Sequence, residues 1–250
     1  MRYFLEIAYN GTRFCGWQKQ PNALSVQEKL EDALFMVLRK PTETLGCGRT
    51  DTGVHSSQYY VHLNIEDEDL KPEFLHKLNQ LVGKDIVVKQ LIKVPRNTNA
   101  RFDAERRKYI YFVSAEKDPF RKETVWHVPQ FEQLDRNKMQ AVASLIKQHN
   151  EFAPFCKTNN DQTTNQCLIF ESQWIFTKDG AEYNISANRF LRGMVRLIVG
   201  ACINAGLGQI SLEEIDVALK NQTPLRKSYS VPPQGLFLTE VHYNEALKLK

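Results

Sequence analysis

Strand-like and helix-like patterns alternate along the chain, and this alternation limits the fold more than any other feature. Residues 3–9 (YFLEIAY) are mostly apolar and end at an Asn-Gly turn, which is typical of a β-strand. Residues 25–28 (SVQE) form a capping-box pattern, and apolar residues then recur at helical spacing as far as Pro41. Alternating segments of both kinds predict a protein of the α+β class.

The rest of the chain continues this order. Further strands are predicted at residues 58–64, 86–94, 108–115, 168–176, 182–187 and 236–243. Helices are predicted at residues 72–81, 134–148 and 189–205, and another begins at the capping box of residues 211–214. Two β-α-β runs therefore follow one another, which favours two related halves at residues 1–103 and 104–250.

Composition and charge exclude several classes of protein. Hydrophobic residues make up 42% and charged residues 25%, as in ordinary globular domains. Arg2 and Glu6 interrupt the apolar N-terminus, so no signal peptide is predicted. The most apolar stretch, residues 194–207, is short and contains Arg196, so no membrane span is predicted. The five cysteines and six histidines are scattered, which argues against a disulfide framework and a metal site. We expect a soluble cytosolic protein whose net charge of +4 leaves its partners open.

The glycine-rich segment at residues 46–53 (GCGRTDTG) is the most unusual in the chain. Its three glycines allow positive φ angles and a close approach to a ligand, and Asp51 stands among them. One alternative is a surface turn in which Asp51 caps its own backbone. Another is an aspartic protease, because residues 51–53 read Asp-Thr-Gly. The protease is disfavoured since the chain has no second such triplet and Arg49 favours full ionisation of Asp51.

Basic residues gather in two places. Residues 100–111 carry arginines that lead into an aromatic strand, and residues 188–196 place Arg189, Arg192 and Arg196 on one face of the predicted helix. A solvated charge run and an ordinary amphipathic helix are the plain alternatives. Together with an isolated carboxylate, however, two basic clusters beside aromatic rings favour RNA, because arginine grips phosphates and an aromatic ring stacks on an extruded base.

At this point the chain resembles the tRNA pseudouridine synthase A family. Residues 48–55 (GRTDTGVH) are similar to the active-site signature of that family. Five ordered motifs extend the resemblance over nearly the whole chain. They are residues 9–12 with 16–20 and 25–28, the signature at 48–55, residues 100–102 with 109–111, residues 194–196 with 198–200, and residues 235–238.

The resemblance implies a reaction and a set of site residues. It implies that Asp51 is the nucleophile, that Arg49 helps to extrude the uridine, and that Tyr109 is the active-site tyrosine. Arg196 would be the ion-pair partner of Asp51. Leu236 would form part of an apolar floor, or else is plain core. Further contacts to the substrate are expected from Arg101, Arg107, Arg189 and Arg192. Isomerisation of uridine requires neither a nucleotide cofactor nor a metal, and none is expected.

The same resemblance implies two ferredoxin-like halves in one continuous, mostly antiparallel sheet with a central active-site cleft. It also implies a homodimer that acts on uridines 38, 39 and 40 in the anticodon arm of tRNA. The alternatives are the same chemistry on another RNA and a tRNA-binding protein without activity. Two departures bear on substrate range: Gln166 stands where the family usually has arginine, and Asn150 where it usually has an aspartate nearby.

Overall fold

The computed structural model describes residues 1–157, 164–244 and 247, and this part of the chain contains both helices and strands. The predicted α+β class is confirmed. The α-helices are α1 (Val26–Leu38), α2 (Phe74–Leu81), α3 (Arg136–Ile146), α4 (Met194–Gly206) and α5 (Leu212–Asn221). The strands are β1 (Arg2–Tyr9), β2 (Thr44–Gly46), β3 (His55–Asn64), β4 (Ile86–Val94), β5 (Ala104–Ser114), β6 (Trp126–His127), β7 (Ile169–Phe176), β8 (Gly180–Ala187) and β9 (Leu236–Tyr243). Short 3-10 helices occupy Gly11–Arg13, Asp67–Asp69, Phe131–Gln133, Ala153–Phe155 and Pro233–Gly235.

The chain packs as two compact units. Unit 1 comprises Met1–Arg107 and the chain from Phe237 onward, and unit 2 comprises Lys108–Leu236. The boundaries fall within β5 and at the first residue of β9. The division into domains at residues 1–103 and 104–250 stays a prediction.

Unit 1 is built on a sheet in which β1 lies between β4 and β3, antiparallel to both. Leu5 in β1 pairs with Val61 on one side and with Leu91 on the other. β2 pairs antiparallel with β3, whereas β9 pairs in parallel with it, through His55 and Phe237. The start of β3, directly after the glycine-rich segment, is thus fixed by the C-terminal strand.

Helix α1 buries one face, as its sequence pattern predicts. Ser25 caps it by accepting a hydrogen bond from the amide of Glu28 at 3.1 Å. Its buried residues are Val26, Leu30, Ala33 and Leu34. Burying each leucine contributes roughly 1.5–3 kcal/mol relative to leaving it exposed. The helix ends at Leu38, before Pro41, because Arg39 turns to a φ of 58° and its amide bonds to the Phe35 carbonyl.

Unit 2 contains a second sheet segment in which β8 lies between β5 and β7. β7 and β8, which correspond to the strands predicted at residues 168–176 and 182–187, form an antiparallel hairpin with Gln173 opposite Asn184. The predicted capping box at the start of α5 is confirmed, since Ser211 and Glu214 exchange both side-chain-to-backbone hydrogen bonds.

Helix α4 is the core of unit 2. Eleven of its thirteen residues are buried, as expected for a helix that is apolar on nearly every face. Gly206 allows α3 to approach, because a Cβ there would lie 2.9 Å from Cγ of Met139. Within the described part of the chain, no helix is long and apolar enough to cross a membrane.

The predicted helix at residues 189–205 begins too early. α4 starts at Met194, and the preceding Gly193 has a φ of 70°, which interrupts a right-handed helix. The segment before it is a loop tied down by Asn188, whose side chain accepts hydrogen bonds from the amides of Leu168 and Arg189. The prediction that Arg189, Arg192 and Arg196 share one helical face is therefore wrong.

Strand β5 also differs from its prediction, since it begins at Ala104 rather than at residue 108. The run of charged residues at 105–108 shows no alternation of apolar and polar residues, so the strand pattern is hidden there. Arg107 therefore lies on a strand, and its surroundings restrict its side chain.

Candidate active site

The segment with Asp51 connects β2 to β3, and we call residues 46–53 the Asp51 loop. Because β2 and β3 pair with each other, both ends of the loop are fixed by the sheet of unit 1. Asp51 is partly exposed, and Arg49 is exposed. The two side chains are thus held on a loop that solvent or a ligand can reach.

The first half of the Asp51 loop is held by two hydrogen bonds to its backbone and by close packing at Gly46. The amide of Cys47 donates to the carbonyl of Tyr60 at 2.8 Å, and the hydroxyl of Tyr59 donates to the carbonyl of Gly48. Gly46 leaves room for the Tyr59 ring, since a Cβ there would lie 2.1 Å from the Tyr59 hydroxyl. Each contact fixes the path of the chain toward Asp51.

The second half of the loop packs against residues 11–17. The carbonyl of Thr50 faces Gly16, where a Cβ would lie 2.2 Å from that oxygen and where φ is 85°. The amide of Gly53 donates to the carbonyl of Phe14 at 3.2 Å, and the Thr50 hydroxyl bonds to that of Tyr9 at 2.9 Å. A glycine is required at position 16 because the backbone of the Asp51 loop passes directly over it.

Arg107 reaches the Asp51 loop from β5. Its Nε and Nη2 donate to the carbonyl oxygen of Cys47 at 3.1 and 2.9 Å. Nη1 donates to the carbonyl of Ala104 at 3.0 Å, and Nη2 also donates to that of Arg101 at 2.5 Å. Four hydrogen bonds to three carbonyls make Arg107 an anchor of the loop. The contact to RNA expected from sequence stays a prediction.

Arg101 lies on a neighbouring loop of unit 1 that is closed by Asn99. The Asn99 side chain accepts hydrogen bonds from the amides of Arg101 and Phe102 at 2.9 and 3.2 Å. The Arg101 guanidinium lies 5.5 Å from the centre of the Phe102 ring, which is 74% exposed. An exposed aromatic ring beside a cation is a site on which a base can stack. Phe102 belongs to the motif at residues 100–102, but the resemblance assigns it no role.

The base of this second loop depends on a neutral histidine. His62 accepts a hydrogen bond at Nδ1 from the amide of Ala100 at 3.0 Å. Burial and the nearby Arg2 lower the pKa of His62 to about 4, against a smaller opposing effect of Asp103. The neutral ring is the form that can accept this bond.

Tyr109 and Arg196 belong to unit 2, and each contacts a neighbour there. Tyr109 on β5 is nearly buried and packs edge-to-face against Phe190, with ring centres 5.2 Å apart. Arg196, near the start of α4, donates from Nε to the carbonyl of Val231 at 2.7 Å. The amide of Val231 returns a bond to the carbonyl of Arg196 at 3.3 Å. The Nε end of the Arg196 guanidinium is thus held by the segment that precedes β9.

The remaining predicted residues are placed as follows. Arg189 and Arg192 lie in the loop before α4, and Arg192 is exposed. Leu236, the first residue of β9, is buried. The structure therefore brings Asp51, Arg49 and Arg107 to one loop of unit 1. Tyr109, Arg189, Arg192, Arg196 and Leu236 lie in unit 2.

The two departures from the family pattern lie on paired segments. The amide of Cys167 donates to the carbonyl of Asn150 at 2.8 Å, beside a bridge between Glu151 and Gln166. The Gln166 amide contacts the Glu151 carboxylate at 3.4 Å, where an arginine could form an ion pair. Asn150 and Gln166, the two departures, therefore lie close together in the structure. Thr163, which precedes it, lies outside the described residues.

The described residues include no group of three or more acidic, histidine or cysteine side chains that could hold a metal ion. The five cysteines are free thiols. Burial raises the pKa of Cys47, on the Asp51 loop, to about 11, so this thiol is protonated at neutral pH and is a poor nucleophile. Asp51 is the acidic group of its loop.

Comparisons with known proteins show which proteins this chain is similar to. A family model described as tRNA pseudouridine synthase matches residues 142–244. A protein named tRNA pseudouridine synthase A from Azobacteroides pseudotrichonymphae genomovar. CFP2 is 36% identical, over 97% of this chain and 96% of its own. Proteins of the same name from Parabacteroides distasonis and Bacteroides thetaiotaomicron are 38% and 39% identical over 98% of this chain, covering 97% and 91% of their own lengths.

Proposed function

Because this chain belongs to the tRNA pseudouridine synthase A family, we propose that it isomerises uridines 38, 39 and 40 in the anticodon arm of tRNA. It is an isomerase of tRNA uridine, as its family and relatives indicate. The observation that carries the finer proposal is the Asp51 loop. Its backbone is held before Asp51 at the Cys47 carbonyl and after it at the Gly53 amide, while Asp51 itself is partly exposed.

The reaction needs no redox partner. The N1–C1′ bond of uridine breaks, a C5–C1′ bond forms, C5 releases a proton and N1 gains one. We propose that the Asp51 carboxylate is the nucleophile, with C6 of the base or C1′ of the sugar as its target. A loop fixed before the substrate arrives lowers the entropic cost of aligning that carboxylate with the target carbon. No cofactor enters this scheme.

The other site residues receive their roles from the family motifs. We propose that Arg49, which is exposed beside Asp51, helps to hold the uridine outside the helix. Arg196 pairs with Asp51 and holds its carboxylate in place, and its bond to Val231 supports this role by fixing the guanidinium. Tyr109 stacks on the uracil or takes a proton from the sugar, and Phe190 supports its ring. Leu236 contributes to the apolar floor.

The proposal includes the finer architecture that the resemblance implies. In it, two ferredoxin-like halves share one continuous, mostly antiparallel sheet with the active site in a central cleft. Arg107 positions the Asp51 loop through its hydrogen bonds to the Cys47 carbonyl, and its contact to the tRNA stays a prediction. The protein acts in the cytoplasm as a homodimer, and Arg101, Arg189 and Arg192 contact the tRNA. The family resemblance supports these points.

The test is nucleotide-resolved mapping of pseudouridine in unmodified tRNA transcripts incubated with the protein in EDTA. Product is expected at positions 38, 39 and 40, and replacing one of these uridines by cytidine should remove product at that position alone. Product elsewhere in tRNA would contradict the substrate assignment. Binding without product on any transcript would identify a tRNA-binding protein without this activity.

A further inference from the structure

A cavity of about 500 Å³ opens in unit 2, beside the start of α4. Its walls come from residues 154–157, from Arg192 and Leu197, and from residues 224–225 and 227–229. Phe155, Leu197 and Tyr229 supply apolar and aromatic surface, whereas Lys157, Arg192 and Lys227 supply three positive charges. The sequence motifs drew attention to Arg192 alone in this group.

The charge of the cavity is one-sided. None of the lining residues that the structure describes carries a carboxylate. Within the described chain, neither Lys157 nor Lys227 forms a salt bridge, although ion pairs occur elsewhere in unit 2, such as Lys220 with Asp216. Lys157 and Lys227 therefore bring two positive charges, without a salt bridge to any described residue, to a concave surface that also carries Arg192, so the cavity favours a negatively charged ligand.

The cavity walls are held in place by the backbone. The amide of Lys157 donates to the carbonyl of Arg192 at 3.0 Å. The methylene chain of Lys157 covers Gly193, where a Cβ would lie 2.8–2.9 Å from its carbons. The segment that carries Lys227 and Tyr229 packs closely against α4 at Gly200, because a Cβ there would lie 1.6 Å from the carbonyl oxygen of Tyr229. The backbone at Lys157 and Arg192 is thus held close to α4, and so is the segment that carries Lys227.

We propose that this cavity binds phosphate groups of the tRNA backbone through Lys157, Arg192 and Lys227. The inference rests on the proposed function, which makes a polyanion the substrate. Lysine suits the role because its ammonium group acts as a point charge toward phosphate, and arginine adds a planar pair of donors. Since phosphate contacts carry no sequence information, the cavity sets the position of the tRNA and leaves the choice of uridine to the active site.

The test compares two double variants of equal charge. Lys157→Gln with Lys227→Gln removes two cavity cations, whereas Lys147→Gln with Lys178→Gln removes two exposed lysines of unit 2 outside the cavity. Dissociation constants for an unmodified tRNA transcript are measured by fluorescence anisotropy across a salt series. The cavity variant should bind about tenfold more weakly and lose roughly two from the slope of log K against log salt. Circular dichroism and thermal melts check that both variants are folded.

Three outcomes are informative. If the cavity variant keeps the affinity and slope of the control variant, the proposed phosphate site is overturned. If inorganic phosphate stabilises the wild type but not the cavity variant in thermal melts, while tRNA binding is unchanged, the cavity binds free phosphate and the proposal again fails. The assay requires no turnover, so absence of pseudouridine would overturn the proposed function while a changed salt slope still supported the RNA site.

Discussion

Arg107 and Cys47 are joined by two hydrogen bonds to a single carbonyl oxygen, from Nε at 3.1 Å and from Nη2 at 2.9 Å. Sixty residues separate them in the chain, so the contact fixes the Asp51 loop to β5. Arginine presents its donors in a rigid planar fork, whereas the donors of lysine lie on a flexible stem and do not reproduce this geometry. Arg107 therefore positions the Asp51 loop, and this role depends on the shape of its guanidinium as well as on its positive charge.

Replacement of Arg107 should separate this role from RNA binding. We expect Arg107→Lys and Arg107→Gln to lower the single-turnover rate about 10- to 100-fold, because a shift of about 1 Å in a catalytic group has effects of that size. The dissociation constant for tRNA should change less than about twofold, as in the exposed control Arg96→Gln. If Arg107→Lys restores full activity while Arg107→Gln only weakens tRNA binding, Arg107 is a phosphate contact instead.

Gly16 should tolerate no side chain. A Cβ there would meet the Thr50 carbonyl at 2.2 Å, and φ is 85°, so Gly16→Ala should displace the Asp51 loop. We expect a loss of about 1–3 kcal/mol in the free energy of unfolding and a lower turnover rate. Gly208→Ala is the matched control, because φ is 71° but no atom lies within 4 Å of the added Cβ. It should cost about 1 kcal/mol and leave turnover unchanged; equal turnover losses in both variants would contradict loop displacement.

His62 should make the protein sensitive to mild acid. Its pKa is about 4 in the folded protein and near 6.5 when unfolded, so the unfolded state binds the proton more readily between these values. The contribution of His62 is complete above about pH 6.5 and declines as the pH falls toward 4. In thermal melts from pH 7 to 4, His62→Gln should lose less stability than the wild type. His76→Gln, at an exposed position on α2, should follow the wild type; identical profiles for all three proteins would exclude His62.

Phe102 should contribute to tRNA binding. Its ring is 74% exposed beside Arg101, and stacking of an unpaired base on such a ring contributes about 1–3 kcal/mol. We expect Phe102→Ala to weaken binding of tRNA by roughly 5- to 100-fold without lowering the melting temperature. Phe120→Ala, at a ring that is 97% exposed, is the control. Equal affinities of the two variants would show that the Phe102 ring makes no contact with tRNA.

Local patterns predict part of this fold well. The predicted bounds of β4 and β9 agree with the structure, because each strand combines apolar alternation with flanking turn residues. The start of α4 was missed because the positive φ of Gly193 depends on its packing against Lys157. A glycine in sequence shows only that such a conformation is permitted.

In the candidate site, too, local features could be predicted from sequence and long-range contacts could not. Asp51 stands out because its glycine-rich loop is unusual within a short segment. The anchoring roles of Tyr59 and Arg107 depend on hydrogen bonds to loop carbonyls 11 and 60 residues away, and no short motif encodes these partners. Sequence therefore predicts which residue carries the chemistry, and the structure adds which residues hold its loop in place.

The central claim is that Asp51 is the catalytic carboxylate on this fixed loop. The most direct measurement compares single-turnover pseudouridine formation by the wild type, Asp51→Asn and Asp32→Asn at saturating enzyme, after tRNA binding by each has been verified. Asp32 is exposed on α1 and undergoes the same chemical change. We predict that Asp51→Asn binds tRNA and forms no pseudouridine, whereas Asp32→Asn matches the wild type. Pseudouridine formation by Asp51→Asn at a rate near that of Asp32→Asn would contradict the claim.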